Sequence, residues 1–201
     1  NGTGGSDSNS EKSKYIKASK ADKLTANGSN TKVIISDTGV NPNNKGLKDA
    51  DISSQMAVYN KNKTTENGLD FVAVKDSATH GSDMAQIITK TSKKTNVNAL
   101  AGVNAPNTYI HNAWAISAEL NKKIHADVIN NSWSDGGSLG KPELYKFHYK
   151  PVKDIIDSGT LFVTSSGNSG RDKPDDTALL PQLDSSLLKG FVVVASTDAN
   201  G

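Results

Sequence analysis

Asp37, His80 and Asn168 have the types and settings that acyl-transfer chemistry needs. His80 lies in Thr79-His80-Gly81-Ser82-Asp83-Met84-Ala85-Gln86-Ile87-Ile88. Met84, Ile87 and Ile88 recur there at the spacing of one helical face. His80 falls one turn before Met84, on the inward face at the N-terminal end. The positive end of the helix dipole disfavours an imidazolium there. A neutral imidazole can accept a proton, as a general base must. Taken alone, the stretch also reads as a histidine satisfied by a backbone group at a helix start. Asp37 is a carboxylate that could orient such a ring and stabilise its protonated form. Asn168 follows Gly167, and its amide could donate a hydrogen bond to a developing oxyanion. Base, orienting acid and oxyanion donor make up most of an acyl-transfer site. The nucleophile is the missing part.

These residues must be positioned by regular elements. Val33 to Ile35 is an apolar run, as expected of a strand buried on both faces, and Asp37 follows at its carboxyl end. Leu69 to Val74 reads as a short strand, and the His80 helix as running to about Lys93. Further strands are expected at Thr108–Ala113, Asp127–Asn131, Leu161–Asn168 and Phe191–Ala195. Helices are expected at Lys14–Ala26, stopped by Asn27-Gly28, at Ile116–Ile124 and at Pro142–Ser158. The last starts on a proline suited to a first turn and has an expected kink at Pro151. Asn41–Asp51 and Arg171–Ser186 read as loops, and Gly136–Gly140 as a turn. Alternating strands and helices predict an α/β fold with a mainly parallel sheet. The carboxyl ends of its strands then share one edge, where such folds place their sites. Asp37, Asn130-Asn131 and Gly167-Asn168 each end an apolar strand, so all three are expected on that edge, beside the start of the His80 helix.

Composition narrows the function classes. The 201 residues suit one domain, with residues 1–13 a Gly/Ser/Asn-rich flexible tether. Hydrophobic content is 34%, aromatic content 5% and mean hydropathy −0.52, so the core must rest on Val, Ile, Leu and Ala. Net charge is +2, and Arg171 is the only arginine. Such a chain has little capacity for bidentate phosphate contacts, which argues against a nucleic-acid partner. With no cysteine there is no disulfide, thiolate metal site or cysteine nucleophile. His111, His125 and His148 are scattered, so no metal or cofactor is expected. No apolar run is long enough to cross a membrane. An opening without Met on a polar stretch reads as a processed or excised piece.

Four segments resemble the subtilisin-like serine proteases. Asp37-Thr38-Gly39-Val40 is similar to their aspartate motif and Thr79 to Ala85 to their histidine motif. Asn131-Ser132-Trp133 is similar to their substrate-binding strand and Ser166-Gly167-Asn168 to their oxyanion segment. The order matches the subtilisin order of Asp, then His. Val128 to Trp133, Ala178-Leu179-Leu180-Pro181 and Lys189 to Val194 resemble the protease passenger domains of bacterial autotransporters. The resemblance implies a subtilisin-like three-layer sandwich with a mainly parallel central sheet, with residues 14–201 the N-terminal portion of the peptidase domain and the fold incomplete at the C-terminus. It implies peptide-bond hydrolysis, with Asp37 and His80 catalytic and Asn168 in the oxyanion hole. Ser132, Trp133 and Ser134 would pair with an extended peptide or protein substrate, while Ser165, Ser166 and Gly167 line a side-chain pocket. It also implies a secreted or cell-surface location, and a C-terminal autotransporter barrel in the full-length chain.

There are departures. Asp83 stands where the family usually has a second histidine, which suits the first turn of a helix. Ser134 replaces an expected glycine. Asn43, Asn44 and Gly46 fill the loop where calcium-site acids are often found, so no calcium is expected. The Gly-Thr-Ser nucleophile motif is absent from the 201 residues, so this chain alone is expected to be inactive. Gly136-Gly137-Ser138-Leu139-Gly140 formally matches a G-x-S-x-G nucleophile elbow, but that scheme needs an acid and then a histidine downstream. Only His148 follows, within the next helix. The alternative from another class is a non-catalytic peptide-binding or adhesin module on a degenerate protease fold.

Overall fold

A computed structural model describes residues 27–41, 43–59, 69–74, 79–102, 113–133, 142–168 and 176–196. The strands are β1 (Lys32–Asp37), β2 (Ile52–Tyr59), β3 (Leu69–Ala73), β4 (Asn96–Ala101), β5 (Val128–Asn131), β6 (Leu161–Ser165) and β7 (Phe191–Val194). The helices are α1 (Thr79–Thr91), α2 (Ala113–Ile124), α3 (Pro142–Asp157) and the short α4 (Leu180–Leu183). The sheet order is β3-β2-β4-β1-β5-β6-β7. Every ladder is parallel except that of β3 on β2.

The core has two sides because side chains alternate along a strand. Val33 and Ile35 of β1 pack with Val97, Ala99 and Ala85 under α1. Ile34, between them, joins Leu100, Ile129, Phe162 and Trp114 under α2 and α3. Each fully buried side chain of this size contributes roughly 1.5–3 kcal/mol. The result is an α/β/α sandwich with β1 at its centre. β1 pairs with β4 on one side and β5 on the other. The carboxyl ends of β1, β5 and β6 therefore lie side by side, as expected.

Two strands escape the sequence pattern. β2 opens Ile52-Ser53-Ser54-Gln55 and β4 reads Asn-Val-Asn-Ala-Leu-Ala, so neither is an apolar run. Their polar side chains satisfy one another. Asn96 Nδ2 donates to Asp51 Oδ2 at 2.8 Å, Asn98 Nδ2 to Asn96 Oδ1 at 2.7 Å and Ser53 Oγ to Asn98 Oδ1 at 3.2 Å.

Other expectations need correction. Ala113, expected in a strand, begins α2, while residues 108–112 lie outside the described residues. α3 needs no correction: it spans Pro142–Asp157 with Pro151 inside it, and Val152, Ile155 and Ile156 are buried on the sheet. The two expected loops contain helical turns: Lys45–Leu47 within 41–51, and Asp176–Leu179, α4 and Ser185–Lys189 within 171–186 and just beyond it. Buried Leu47, Leu180 and Leu187 anchor them. The expected helix 14–26, the tether 1–13 and the turn 136–140 lie outside the described residues.

Candidate functional site

Asp37 ends β1 and is only 1% exposed. Its Oδ1 accepts the Thr38 amide at 2.7 Å, and its carbonyl accepts the Gly102 amide at 2.9 Å. The chain then turns through Gly39, whose φ of +87° is one that side-chain-bearing residues rarely adopt. The turn seats the first residues of α1. Gly81 N donates to Thr38 Oγ1 at 3.0 Å, and Asn41 N to Ser82 Oγ at 2.9 Å. A Cβ on Gly81 would lie 2.1 Å from the Gly39 carbonyl oxygen. Two glycines thus let the start of the helix close onto the end of the strand.

That closure brings His80 to Asp37. His80 Nδ1 lies 2.8 Å from Oδ1 and 2.9 Å from Oδ2. The carboxylate only accepts, so the tautomer that fits has its proton on Nδ1. The Nε2 lone pair is then left available. The His80 side chain is 50% exposed, while its carboxylate partner is shielded. Such an arrangement can act as a base: the carboxylate orients the ring, and the second ring nitrogen takes no part in that bond.

β5 and β6 build the neighbouring part of the edge. Asn131 is fully buried, and its Nδ2 lies 3.3 Å from Thr164 Oγ1 and 3.2 Å from the Trp133 carbonyl oxygen. Ser165 Oγ also donates to that carbonyl, at 3.2 Å. Asn130 Nδ2 donates to Ser132 Oγ at 2.8 Å. Ser166 N bonds to the Val194 carbonyl at 3.0 Å, and Gly167 turns the chain with φ +98°. Asn168 follows this turn with an exposed side chain.

Of the residues singled out from sequence, Asp37 and His80 are in direct contact. Ser132, Trp133, Ser165, Ser166, Gly167 and Asn168 belong to the adjacent strand ends. Ser134 lies outside the described residues, as do His111 and the Gly136–Gly140 elbow. His125 ends α2 in the left-handed region, with φ +52°. His148 is buried, its ring 4.0 Å from that of Trp114. Among the described residues no group of three His, Cys, Asp or Glu side chains could hold a metal ion, and no helix is long and apolar enough to cross a membrane. Sequence reasoning missed Thr38 as a helix cap, Ser36 and Trp114. Only Thr38, inside the Asp-Thr-Gly motif, carried a signal.

The subtilase family model matches residues 28–201. No curated protein matches the chain significantly. Among solved structures, the prenylagaramide maturation protease PagA superposes with a TM-score of 0.57 at 16% identity, covering 90% of this chain and 58% of its own. The patellamide maturation protease PatG superposes with a TM-score of 0.53 at 11% identity, covering 91% of this chain and 62% of its own. At these identities the likeness is one of fold. The chain spans about three-fifths of the length of these two structures.

Proposed function

Because the chain belongs to the subtilase family, we propose that it carries the acid–base half of a serine endopeptidase. Asp37 and His80 are catalytic, Asn168 is an oxyanion donor, and the β5 and β6 exits hold the substrate. The Asp37–His80 geometry supports this most strongly: both carboxylate oxygens lie within 2.9 Å of Nδ1, and the His80 side chain is half exposed.

In this reading His80 Nε2 takes the proton of a serine hydroxyl as that oxygen attacks the scissile carbonyl carbon. The carbonyl oxygen becomes an oxyanion, which accepts a hydrogen bond from Asn168. Asp37 stabilises the imidazolium formed meanwhile. The imidazolium then protonates the departing amine as the C–N bond breaks. Water, deprotonated by the same Nε2, hydrolyses the acyl-enzyme and returns the serine its proton. The Gly-Thr-Ser motif is absent from these 201 residues, and in this proposal the whole protein supplies the nucleophile. An extended peptide pairs with the backbone at Ser132 and Trp133, beside a pocket lined by Ser165, Ser166 and Gly167.

The resemblance to autotransporter passengers supports a secreted or cell-surface enzyme. Surface proteolysis of cells expressing the gene would test this location. For activity, the full-length protein is expected to cleave unstructured peptides and to lose cleavage on Asp37→Asn. Peptide binding without cleavage by a well-folded full-length protein would instead support a non-catalytic binding module.

A further inference from the structure

We propose that Trp133 is a positioning residue. Resting on the peptidase reading, it ties the substrate-pairing exit of β5 to the aspartate-bearing end of β1. The β1–β5 register runs from Val33↔Val128 to Ile35↔Asn130. One residue further along β1, the Ser36 carbonyl accepts the indole N–H of Trp133 at 2.8 Å, a bond between positions 97 apart in sequence. Ser36 immediately precedes Asp37.

The tie is braced at both ends. The Ser36 hydroxyl accepts from Ser117 Oγ of α2 at 2.9 Å, and both serines are buried. The carbonyl of Trp133 itself accepts from Asn131 Nδ2 and Ser165 Oγ, each at 3.2 Å. The indole ring packs 4.6 Å from that of Trp114, which is fully buried and lies 4.0 Å from His148. The Trp133 side chain is thus turned into the core under α2 and α3.

This arrangement gives the residue its role. The proposed Asp37–His80 pair sits on β1 and α1, whereas the proposed substrate strand leaves β5. Their offset decides where a bound peptide carbonyl falls relative to His80 Nε2. A misplacement of about 1 Å at a reacting centre can cost on the order of 100-fold in rate. The indole N–H fixes that offset one residue before the catalytic aspartate.

Replacing Trp133 in the full-length protein tests this. Trp133→Phe keeps a stacking ring and lacks the N–H. Benzothienylalanine at position 133 keeps the full ring shape and lacks only the N–H, so it folds wherever the native packing does. Both are expected to lower kcat for a peptide substrate about tenfold with KM little changed. Both should also slow fluorophosphonate labelling by a similar factor and move the His80 ring ¹⁵N signals of the substrate-free protein. A raised KM with unchanged labelling would make Trp133 a pocket wall and overturn the proposal. A lowered melting temperature with unchanged kinetics and ring signals would reduce it to a packing residue and overturn the proposal equally. If the wild type neither labels nor cleaves, the peptidase reading fails separately, and the ring signals still decide the tie: moved signals support it and unmoved ones overturn it.

Discussion

Two carboxylates in this molecule make short hydrogen bonds to a ring-bearing partner, in different surroundings. Asp37 meets His80 at 2.8 Å, at the carboxyl edge of the sheet. Asp184 meets the Tyr149 hydroxyl at 2.6 Å, where α3 faces the helical turns of 176–189. Length does not distinguish them. Asp37 is 1% exposed, and backbone amides at Thr38 and Gly102 fix its residue. Asp184 is only partly buried, and its remaining bonds cap a 3₁₀ turn through Ser186 N. The imidazole offers a second nitrogen to the outside, whereas the phenol ends in the oxygen already used. On the proposed function, the short bond that serves chemistry is the one whose acid is shielded and whose partner keeps a second site.

The largest expected effects come from the Asp37–His80 pair. On the proposed function, in the full-length protein His80→Ala should lower kcat by ~10⁶ and Asp37→Asn by ~10⁴, the magnitudes known for the corresponding subtilisin residues. Peptide turnover checks both. Turnover within tenfold of wild type in either variant would place Asp37–His80 in the same class as Tyr149–Asp184. Asn168→Ala should cost ~10²–10³ in kcat with KM nearly unchanged, again the subtilisin magnitude. A change confined to KM would make Asn168 a substrate contact.

Gly81→Ala perturbs the seat of His80 without touching a reacting group. Its Cβ must displace the Gly39 carbonyl 2.1 Å away. Overpacking of this kind costs about 1–3 kcal/mol. The melting temperature should fall and turnover should fall with it, because the helix start that carries His80 moves. Wild-type activity in this variant would show that the close approach of strand and helix is not what sets the pair.

The smallest effect belongs to the rim. Its bonds to the Tyr149 hydroxyl and to Ser186 hold the Asp184 carboxyl at about 2, below its ordinary 3.8. Between those values the unfolded chain binds more protons than the folded one. The bond's contribution is therefore fully present above about pH 4 and is lost as pH falls toward 2. Tyr149→Phe should leave turnover unchanged, lower the melting temperature slightly at pH 7 and flatten its decline through this acid window. Unfolding melts at pH 2, 4 and 7 would show it.

What is legible in the sequence follows the same physics. β1 is an apolar run that stops at Asp37, and α1 is an amphipathic pattern with His80 in its first turn, so periodicity anticipates the pair. It does not anticipate β2 and β4, because Ser53, Asn96 and Asn98 are satisfied sideways by one another and not by burial of apolar surface. The turns of 176–189 look like loop in the sequence because Pro174 precedes them and Pro181, Asp184 and Ser185-Ser186 punctuate them, although buried Leu180 and Leu187 anchor them. The Trp133 tie is invisible there for a different reason. Nothing in a local window says that an indole will meet a carbonyl 97 positions earlier.

The functional reading depends above all on Asp37–His80 serving a serine nucleophile. Fluorophosphonate labelling of the full-length protein, with the modified residue mapped by mass spectrometry, addresses it most directly. Labelling is expected at a single serine, abolished by His80→Ala and retained in Tyr149→Phe. Absence of labelling in the folded wild type, or labelling indifferent to His80, would contradict it.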